Sequence, residues 1–299
     1  MLTGLDHIVI GVKDLQRAME SFQSLGFHVY PGGEHPGRGT HNGVILFDAD
    51  YIGLIAPQDP ALDGGRNLLA SLEARGEGIR TAVIGSDDLA EEVRLLRGRG
   101  VDVTDIQLHD RRTPDGLLLQ WQAANLGGAS PLPHYVIQHV TPEDVRKRQA
   151  PKAAPHPNGV VAIDRVVIAV TDMEAARAEY GKTLGLRPTP VRTDSLLNAE
   201  VCAFVMGKTA VTLAAPRGGP GPAQEALDNR GPGPFLLAFR SGNLQETERW
   251  IMSHHINIAA AGTLREPQDG AQDSARADGV RAIVTRPEPA HGVWMAWSG

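Results

Sequence analysis

Residues 5–14 read LDHIVIGVKD, and residues 163–172 read IDRVVIAVTD. The second stretch is a near copy of the first, and a motif that recurs at this distance indicates two similar domains in one chain. One difference bears on function, because His7 of the first copy is replaced by Arg165 in the second. Imidazole binds metal ions whereas a guanidinium repels them, so we expect at most one copy to hold a metal.

The residues around each copy predict the same order of elements. A β-branched strand is followed by a helix that begins after a capping residue, and then by three further strands. This order occurs four times, with caps at Asp14, Asp88, Asp172 and Asn243. A single βαβββ unit leaves one sheet face uncovered, so we expect the four units to pair into two domains. The predicted domains cover residues 1–141 and 161–299, and a proline-rich linker spans residues 142–160.

Composition restricts the class of protein. The 299 residues carry a net charge of −6, which argues against nucleic acid or an anionic membrane as partner. Cys202 is the only cysteine, so an intramolecular disulfide and a thiolate cluster are excluded. No apolar run approaches the roughly 20 residues of a membrane helix, and no secretory signal is visible. We therefore expect a cytoplasmic monomer or homodimer whose partner is a small molecule.

Several motifs resemble the vicinal oxygen chelate superfamily, which includes glyoxalase I, extradiol dioxygenases and bleomycin-resistance proteins. The first half is most similar to the glyoxalase-like domain family. The motifs that carry the resemblance are residues 5–10 (LDHIVI), 32–42 (GGEHPGRGTHN), 51–55 (YIGLI), 111–116 (RRTPDG), Trp121 and residues 132–138 (LPHYVIQ). The second half matches only at superfamily level, through residues 163–172 and residues 290–293 (AHGV).

This resemblance implies an α+β fold with four βαβββ units in two glyoxalase-like domains, each a curved mixed sheet around a pocket. In the superfamily the first strand of a unit offers a histidine or glutamine to a divalent metal, and the last strand offers a glutamate. Fe, Mn, Ni, Co or Zn would suit such ligands. The predicted ligands are His7, His41 and either Gln138 or His139, because neighbours on a strand face opposite sides.

One departure from the family pattern puts the metal in doubt. Gly53 stands where the resemblance predicts the glutamate, and glycine supplies no carboxylate. Thr212 and Ala296 occupy the analogous positions in the second half. An ordinary metal site of this family would therefore lack its acidic ligand.

Other side chains are candidates for substrate binding or catalysis. His35 is a candidate acid, base or lid residue, and Arg112 would clamp a carboxylate or enolate oxygen unless it is an ordinary surface arginine. Asn42 belongs to the glycine-rich motif. The remaining candidates are Trp121, which would stack on a planar substrate or form core, and the pair Arg165 and His291, which would bind an organic anion or be structural.

Two functions of different class are compatible with these residues. The first is a lyase, isomerase or dioxygenase of the vicinal oxygen chelate type that acts on a small oxygen-rich or dicarbonyl-type molecule. The second is a non-catalytic binding or sequestering protein like the bleomycin-resistance members. A metal-free enzyme that uses His7 as a base lies between the two.

Overall fold

The computed structural model describes residues 1–113, 115–127, 135–146, 155–264 and 280–299. The first half forms one eight-stranded mixed sheet in the order β2-β3-β4-β1-β5-β8-β7-β6. Its strands are β1 (Leu2–Gly11), β2 (Tyr30–His35), β3 (Thr40–Leu46), β4 (Tyr51–Pro57), β5 (Gly78–Ser86), β6 (Gln107–Arg112), β7 (Leu118–Asn125) and β8 (Tyr135–His139). Its helices are α1 (Leu15–Ser24), α2 (Asp63–Arg75), α3 (Leu89–Gly98) and the short α4 (Glu143–Arg146).

The second half repeats this arrangement in the order β10-β11-β12-β9-β13-β16-β15-β14. Its strands are β9 (Val160–Ala169), β10 (Arg192–Asp194), β11 (Ala199–Met206), β12 (Thr209–Pro216), β13 (Gly233–Ser241), β14 (Ile258–Leu264), β15 (Val280–Thr285) and β16 (Trp294–Ser298). Its helices are α5 (Met173–Leu184), α6 (Pro222–Arg230), α7 (Leu244–Ser253) and a 3-10 turn, Glu288–Ala290. The fold is therefore α+β with paired βαβββ units, as the sequence predicts.

The capping residues act as expected. The carboxylate of Asp14 accepts a hydrogen bond from the backbone amide of Arg17 at 3.0 Å, which satisfies a donor that the first helical turn leaves free. The other three predicted caps, Asp88, Asp172 and Asn243, make the same kind of bond at 3.0–3.1 Å. Local sequence therefore determines where α1, α3, α5 and α7 begin.

Other predictions of local structure differ from the outcome. Helix α2 is not apparent from the sequence, because it contains the pair Gly64 and Gly65 and shows little apolar periodicity. The strand predicted for residues 27–30 begins only at Tyr30, since Phe27 is part of the core between the two halves. The loop predicted for residues 218–222 ends where α6 begins, at Pro222. The loop predicted for residues 266–277 and linker residues 147–154 lie outside the described residues.

The two sheets share one hydrophobic core. Phe27, which follows α1, packs against Phe239 at 5.4 Å and Trp297 at 5.7 Å between ring centroids, and both partners belong to the second sheet. Burying aromatic and branched side chains against each other is the main stabilising term here. One face of each sheet contributes to this core, so the opposite faces are left for other uses. In the described part of the chain, no helix has the length and apolarity needed to cross a membrane.

Candidate active site

The free face of the first sheet encloses a cavity of about 1340 Å³. Side chains that alternate along the strands line it, as the two-residue period of a strand requires. Its apolar wall comprises Val9, Val44, Ile55, Val83, Leu119 and Ile137. A mostly apolar cavity with a few polar groups is the usual form of a small-molecule site.

A carboxylate between two histidines is the main polar feature of the cavity. Asp6 Oδ1 lies 2.7 Å from His7 Nδ1, and Asp6 Oδ2 lies 2.7 Å from His139 Nε2. Burial alone would raise the pKa of Asp6, but the hydrogen bonds to His139 and His7 and the charges of both rings bring it well below its usual value. Asp6 is therefore ionised and can only accept hydrogen bonds. It follows that Nδ1 of His7 carries the proton in this contact.

The imidazole of His7 is held in a defined orientation. Its ring stacks on that of Tyr51 with 4.4 Å between centroids and 13° between planes, since the two residues are opposite each other in the parallel pair of β1 and β4. Burial raises the pKa of Tyr51, so its phenol remains neutral. His7 lines the cavity, and its Nε2 has no hydrogen-bond partner among the described residues. With Nδ1 bonded to Asp6, Nε2 is the ring nitrogen that is left to face a bound molecule.

The pKa of a second carboxyl group in the cavity, that of Asp50, is shifted in the opposite direction. Asp50 is only 7% exposed; the backbone amide of Ile163 donates to its carboxylate, while Oδ1 has no partner in the described part of the chain. Burial raises the pKa of Asp50 to about 7 in spite of the Ile163 bond, and the negative charge of Asp6 adds to the increase. The protonated and the ionised forms of Asp50 are therefore both present near neutral pH.

Further polar groups surround this pair. Arg111 is 8% exposed and donates to the carbonyl of Gly32, so a buried cation borders the cavity. His35 has its Nδ1 2.8 Å from the hydroxyl of Thr40, and burial together with the charge of Arg111 lowers its pKa to about 4. The Oδ1 atom of Asn42 is buried without a partner among the described residues and packs against Gly32, where a Cβ would lie 2.2 Å from it.

The structure separates the four predicted metal ligands. His7 and His139 meet at Asp6, but Gln138 points to the start of α3, where its side chain accepts from the Leu89 amide at 3.0 Å. His41 lies on β3 between two residues that line the cavity, so strand alternation turns it to the other side. Of the two alternatives on β8, His139 rather than Gln138 lines the cavity.

The other predicted residues also divide into two groups. His35, Asn42 and Trp121 line the cavity, and the Trp121 ring stacks on that of His109 at 5.9 Å. Arg112 is exposed, and its neighbour Arg111 takes the place in the cavity that was expected for Arg112.

The two candidates of the second half lie away from this cavity. Arg165 is 5% exposed, and its Nε donates to Asp164 at 2.6 Å. His291 holds the two halves together, with Nδ1 2.9 Å from Glu77 and Nε2 3.1 Å from the hydroxyl of Ser21.

The donor groups present do not fit a divalent metal. Gly53 lines the cavity at the position of the expected glutamate. In the second unit, β5 and β8 correspond to β1 and β4 of the first unit. Val83 pairs with Tyr135 as Val9 pairs with Gly53, so Tyr135 stands at the position of Gly53 and Thr81 at the position of His7. Across the described ranges, no group of three or more His, Cys, Asp or Glu side chains is arranged so that it could hold a metal ion. At the four positions where the family places its ligands, one imidazole therefore faces a glycine, a threonine and a tyrosine, and these positions lack the ligands that such an ion requires.

Sequence reasoning missed three of these cavity residues. Arg111 could have been found from the Arg111-Arg112 pair, since one of two neighbours on a strand must face the cavity, but the phase of that strand was not known. Asp6 was visible within the repeated motif, yet its two histidine partners come from separate strands. Asp50 gave no signal, because an amide of the second half contributes to its environment.

Comparisons with known proteins agree with this architecture. The profile of the family described as "Glyoxalase-like domain" matches residues 5–190, more than half of the chain. The profile described as "Glyoxalase/Bleomycin resistance protein/Dioxygenase superfamily" matches residues 164–274. No curated protein matches the sequence at a significant level.

Solved structures with this fold cover the whole chain at low identity. A triple mutant of 4-hydroxymandelate synthase from Streptomyces coelicolor is 15% identical over 99% of this chain and 92% of its own, with a TM-score of 0.69. A hypothetical protein from Staphylococcus aureus is 12% identical over 99% of both chains, with a TM-score of 0.66. These likenesses show the fold alone. The extent of the first profile match shows the family, and the chain belongs to the glyoxalase-like domain family of the vicinal oxygen chelate superfamily.

Proposed function

We propose that the protein is an enzyme that moves a proton on a small, oxygen-rich carbonyl compound bound in the cavity of the first sheet, with His7 as the base. The observation that carries the proposal is the Asp6–His7 pair, in which Nδ1 is committed to an ionised carboxylate and Nε2 is left to the cavity. This division of the two ring nitrogens is what general-base catalysis by histidine requires.

Asp6 has two effects on the base. Its carboxylate holds His7 in the tautomer that exposes the Nε2 lone pair, and it stabilises the imidazolium that forms when a proton is taken. His139 donates to the other carboxylate oxygen and so fixes the orientation of Asp6. The stacked ring of Tyr51 restricts rotation of the imidazole. Such preorganisation lowers the barrier because little needs to rearrange during the reaction.

Asp50 supplies the acid. Two carboxyl groups in one cavity whose pKa values are driven apart are typical of an acid–base pair, with Asp6 ionised and Asp50 partly protonated at neutral pH. In the proposed step a proton passes from a carbon next to the carbonyl to His7 Nε2. The electron pair moves to the carbonyl oxygen, which takes the proton of Asp50. When the carbon that lost its proton carries a hydroxyl group, His7 returns its proton to the former carbonyl carbon and the hydroxyl gives its proton to Asp50, which restores both residues and gives the isomeric hydroxycarbonyl compound.

The reaction can be tested by solvent exchange. We expect the protein to incorporate deuterium from D2O at the carbon next to a carbonyl in at least one member of a panel of hydroxyketones, 1,2-dicarbonyls and 2-oxo acids, measured by NMR. Loss of a general base costs about 10²–10⁴-fold in rate, so His7→Gln should lower exchange by that factor. His254→Gln, at the exposed end of α7, is the matched control and should exchange at the original rate.

A second candidate function is ligand sequestration, and the size and apolar wall of the cavity favour it. A panel compound that raises the melting temperature of the protein without any enzyme-dependent exchange would support sequestration. Exchange that survives His7→Gln unchanged would contradict the assignment of the base.

A further inference from the structure

Three arginines lie together where the cavity of the first sheet meets the second half. Arg75 ends α2, Arg80 belongs to β5, and Arg230 ends α6 of the second half. Arg75 and Arg80 line the cavity, as does Pro234 of the second half. Arg75 Nη2 reaches across the boundary and donates to the carbonyls of Pro232 at 3.0 Å and Arg230 at 3.4 Å. We name Arg75, Arg80 and Arg230 the arginine cluster.

The backbone makes room for this cluster. Gly11 and Gly78 are directly opposite each other in the antiparallel pair of β1 and β5. A Cβ atom on Gly11 would lie 2.5 Å from Nε of Arg80, and a Cβ on Gly78 would lie 1.6 Å from Nη1 of Arg230. Any other residue at either position would displace a guanidinium. The arginine side chains are thus packed over a pair of glycines in defined positions, unlike freely moving surface arginines.

Within the described chain, no carboxylate oxygen lies within 4 Å of a nitrogen of the cluster. The guanidinium of Arg80 donates to the hydroxyl of Ser71 at 3.1 Å and to the carbonyl of Gly76. Arg230 donates to the carbonyl of Gly292 at 3.3 Å. The nearby carboxylate of Glu77 is already taken by the Lys13 amide and by His291. The hydrogen-bond partners named here are neutral, and the negative charge of Glu77, which acts to raise the pKa of Arg80, offsets the three positive charges only in part.

Arg80 shows the consequence most clearly. Its Nε atom is buried and has no hydrogen-bond partner among the described residues. Burial, together with the charges of Arg230 and Arg75, lowers the pKa of Arg80 to about 10. Like charges held close together are unfavourable unless an anion joins them, and in this cluster Arg80 and Arg230 are half-buried while Arg75 is exposed. A bound anion would add negative charge to the cluster through guanidinium N–H groups that reach the cavity, whereas Nε of Arg80 is covered by Gly11.

We propose that the arginine cluster is a subsite for the anionic end, a phosphate or carboxylate, of the molecule on which the cavity acts. Planar guanidinium groups bind both kinds of oxyanion through paired N–H donors. Gly11 is four residues from His7 on β1, and strands rise about 3.3 Å per residue, so the subsite lies about 13 Å from the base. The substrate class is therefore an oxygen-rich carbonyl compound that also carries an anionic group. The proposal that the cluster binds an anion does not depend on the proposed function. The proposal that this anion is part of the substrate does rest on it.

Calorimetric titration of the full chain tests the subsite without an enzyme assay. Inorganic phosphate and succinate are titrated separately at constant ionic strength, and saturable binding of at least one is expected. Arg80→Gln should weaken it tenfold or more, and Arg75→Gln several-fold. Arg66→Gln is the control, since Arg66 is an exposed arginine on the same helix that pairs with Asp63 and does not line the cavity. The Arg66→Gln variant should bind the anion with the same affinity as the unchanged protein.

Absence of saturable binding for both anions would overturn the proposal. So would Arg80→Gln and Arg75→Gln variants that each bind the anion as tightly as the unchanged protein does. If Arg80→Gln does not fold by circular dichroism, Arg75→Gln decides, because Arg75 is exposed and its replacement leaves the core intact. The anion that binds more tightly identifies the tail as phosphate or carboxylate. His7→Gln should bind the anion normally, so failure of the base assignment and failure of the subsite give different results.

Discussion

The two sheets have the same strand order, but the faces that point away from the shared core differ in what covers them. In the first sheet this face encloses the cavity, whereas in the second it is a packed hydrophobic cluster. The residues that fill the second face include Leu196, Leu197, Phe235, Trp294 and Ala296. The difference shows that the fold provides a place for a pocket, and that side-chain volume decides whether a pocket exists there.

One turn illustrates how the difference arises. Strand pairing aligns residues 35–40 (HPGRGT) with residues 194–199 (DSLLNA), because His35 pairs with Thr40 as Asp194 pairs with Ala199. Gly39 and Asn198 both have positive φ, at 69° and 48°, so the two turns share this feature of the backbone. Leu196 and Leu197 thus occupy the positions of Gly37 and Arg38. Two leucines close the second face where glycine and a solvated arginine leave the first face open.

The largest expected effect concerns this turn. Leu197→Ala should lower the free energy of unfolding by about 2–5 kcal/mol, since Leu197 is 2% exposed and its loss leaves a void. The counterpart Arg38→Ala should change it by less than about 0.5 kcal/mol, because Arg38 is exposed. Denaturant unfolding measures both values. Equal costs at the two positions would contradict the view that only the second face is a packed core.

A second expected effect concerns two equivalent hydrogen bonds, one in each direction, between the two halves. The carboxylate of Asp50 accepts from the amide of Ile163, and the hydroxyl of Thr209 accepts from the amide of Leu5 at 2.8 Å. These are equivalent positions in the two halves, but only Asp50 can ionise. Because its pKa is raised to about 7 in the folded protein, its favourable contribution is complete below about pH 4 and is lost as the pH rises through 7.

The variant Asp50→Asn should remove this dependence. Its free energy of unfolding, relative to the unchanged protein, should rise between pH 4 and pH 8 by up to about 4 kcal/mol, at about 1.36 kcal/mol per pKa unit. Denaturant unfolding across this pH range provides the measurement. Asp228→Asn, at an exposed position of α6, is the control and should leave the pH dependence as it is, because the charge of Asp228 does not contribute to the shift of Asp50. A parallel pH profile for Asp50→Asn and the unchanged protein would mean that Asp50 is not a buried acid.

The smallest expected effect is a gain of metal binding in the first half. A Cβ on Gly53 would have its nearest neighbours, the Ile8 carbonyl and a ring carbon of Tyr51, at 4.0 Å, so a side chain has room to enter the cavity. Gly53→Glu should restore a carboxylate near His7, and Zn²⁺ or Ni²⁺ should then stabilise the variant. At a metal concentration of 100 times the dissociation constant the gain is about 2.7 kcal/mol.

Thermal unfolding with and without metal measures this gain, and elemental analysis gives the stoichiometry. Gly53→Gln is the matched control, because it adds the same bulk without the charge. Addition of His7→Gln to Gly53→Glu should abolish the effect. A metal-dependent stabilisation of the unchanged protein as large as that of Gly53→Glu would refute the conclusion that its own donors do not fit a metal.

Much of the fold was predictable because its signals are local. The capping residue Asp14 and its three counterparts mark helix starts by bonds that span only two or three residues. The repeat at residues 5–14 and 163–172 indicates the duplication directly. The candidate site was predictable in part, since His7, His35 and Asn42 lie in motifs and line the cavity. His41 and Arg112 lie on the side away from the cavity. Neighbouring residues on a strand face opposite sides, so a shift of one residue in the prediction exchanges the two faces.

By itself the sequence determined the four repeated units, the caps of their helices and the absence of a glutamate at Gly53. These properties depend on residue type and on short-range spacing, which can be read along the chain. Only the tertiary structure decided that Asp6 lies between two histidines and that His291 joins the halves. It also gave Asp50 a partner in the second half and brought Arg230 to Arg80. The charge and burial of such groups arise from contacts between residues far apart in the chain, and those contacts exist only after the two sheets pack together.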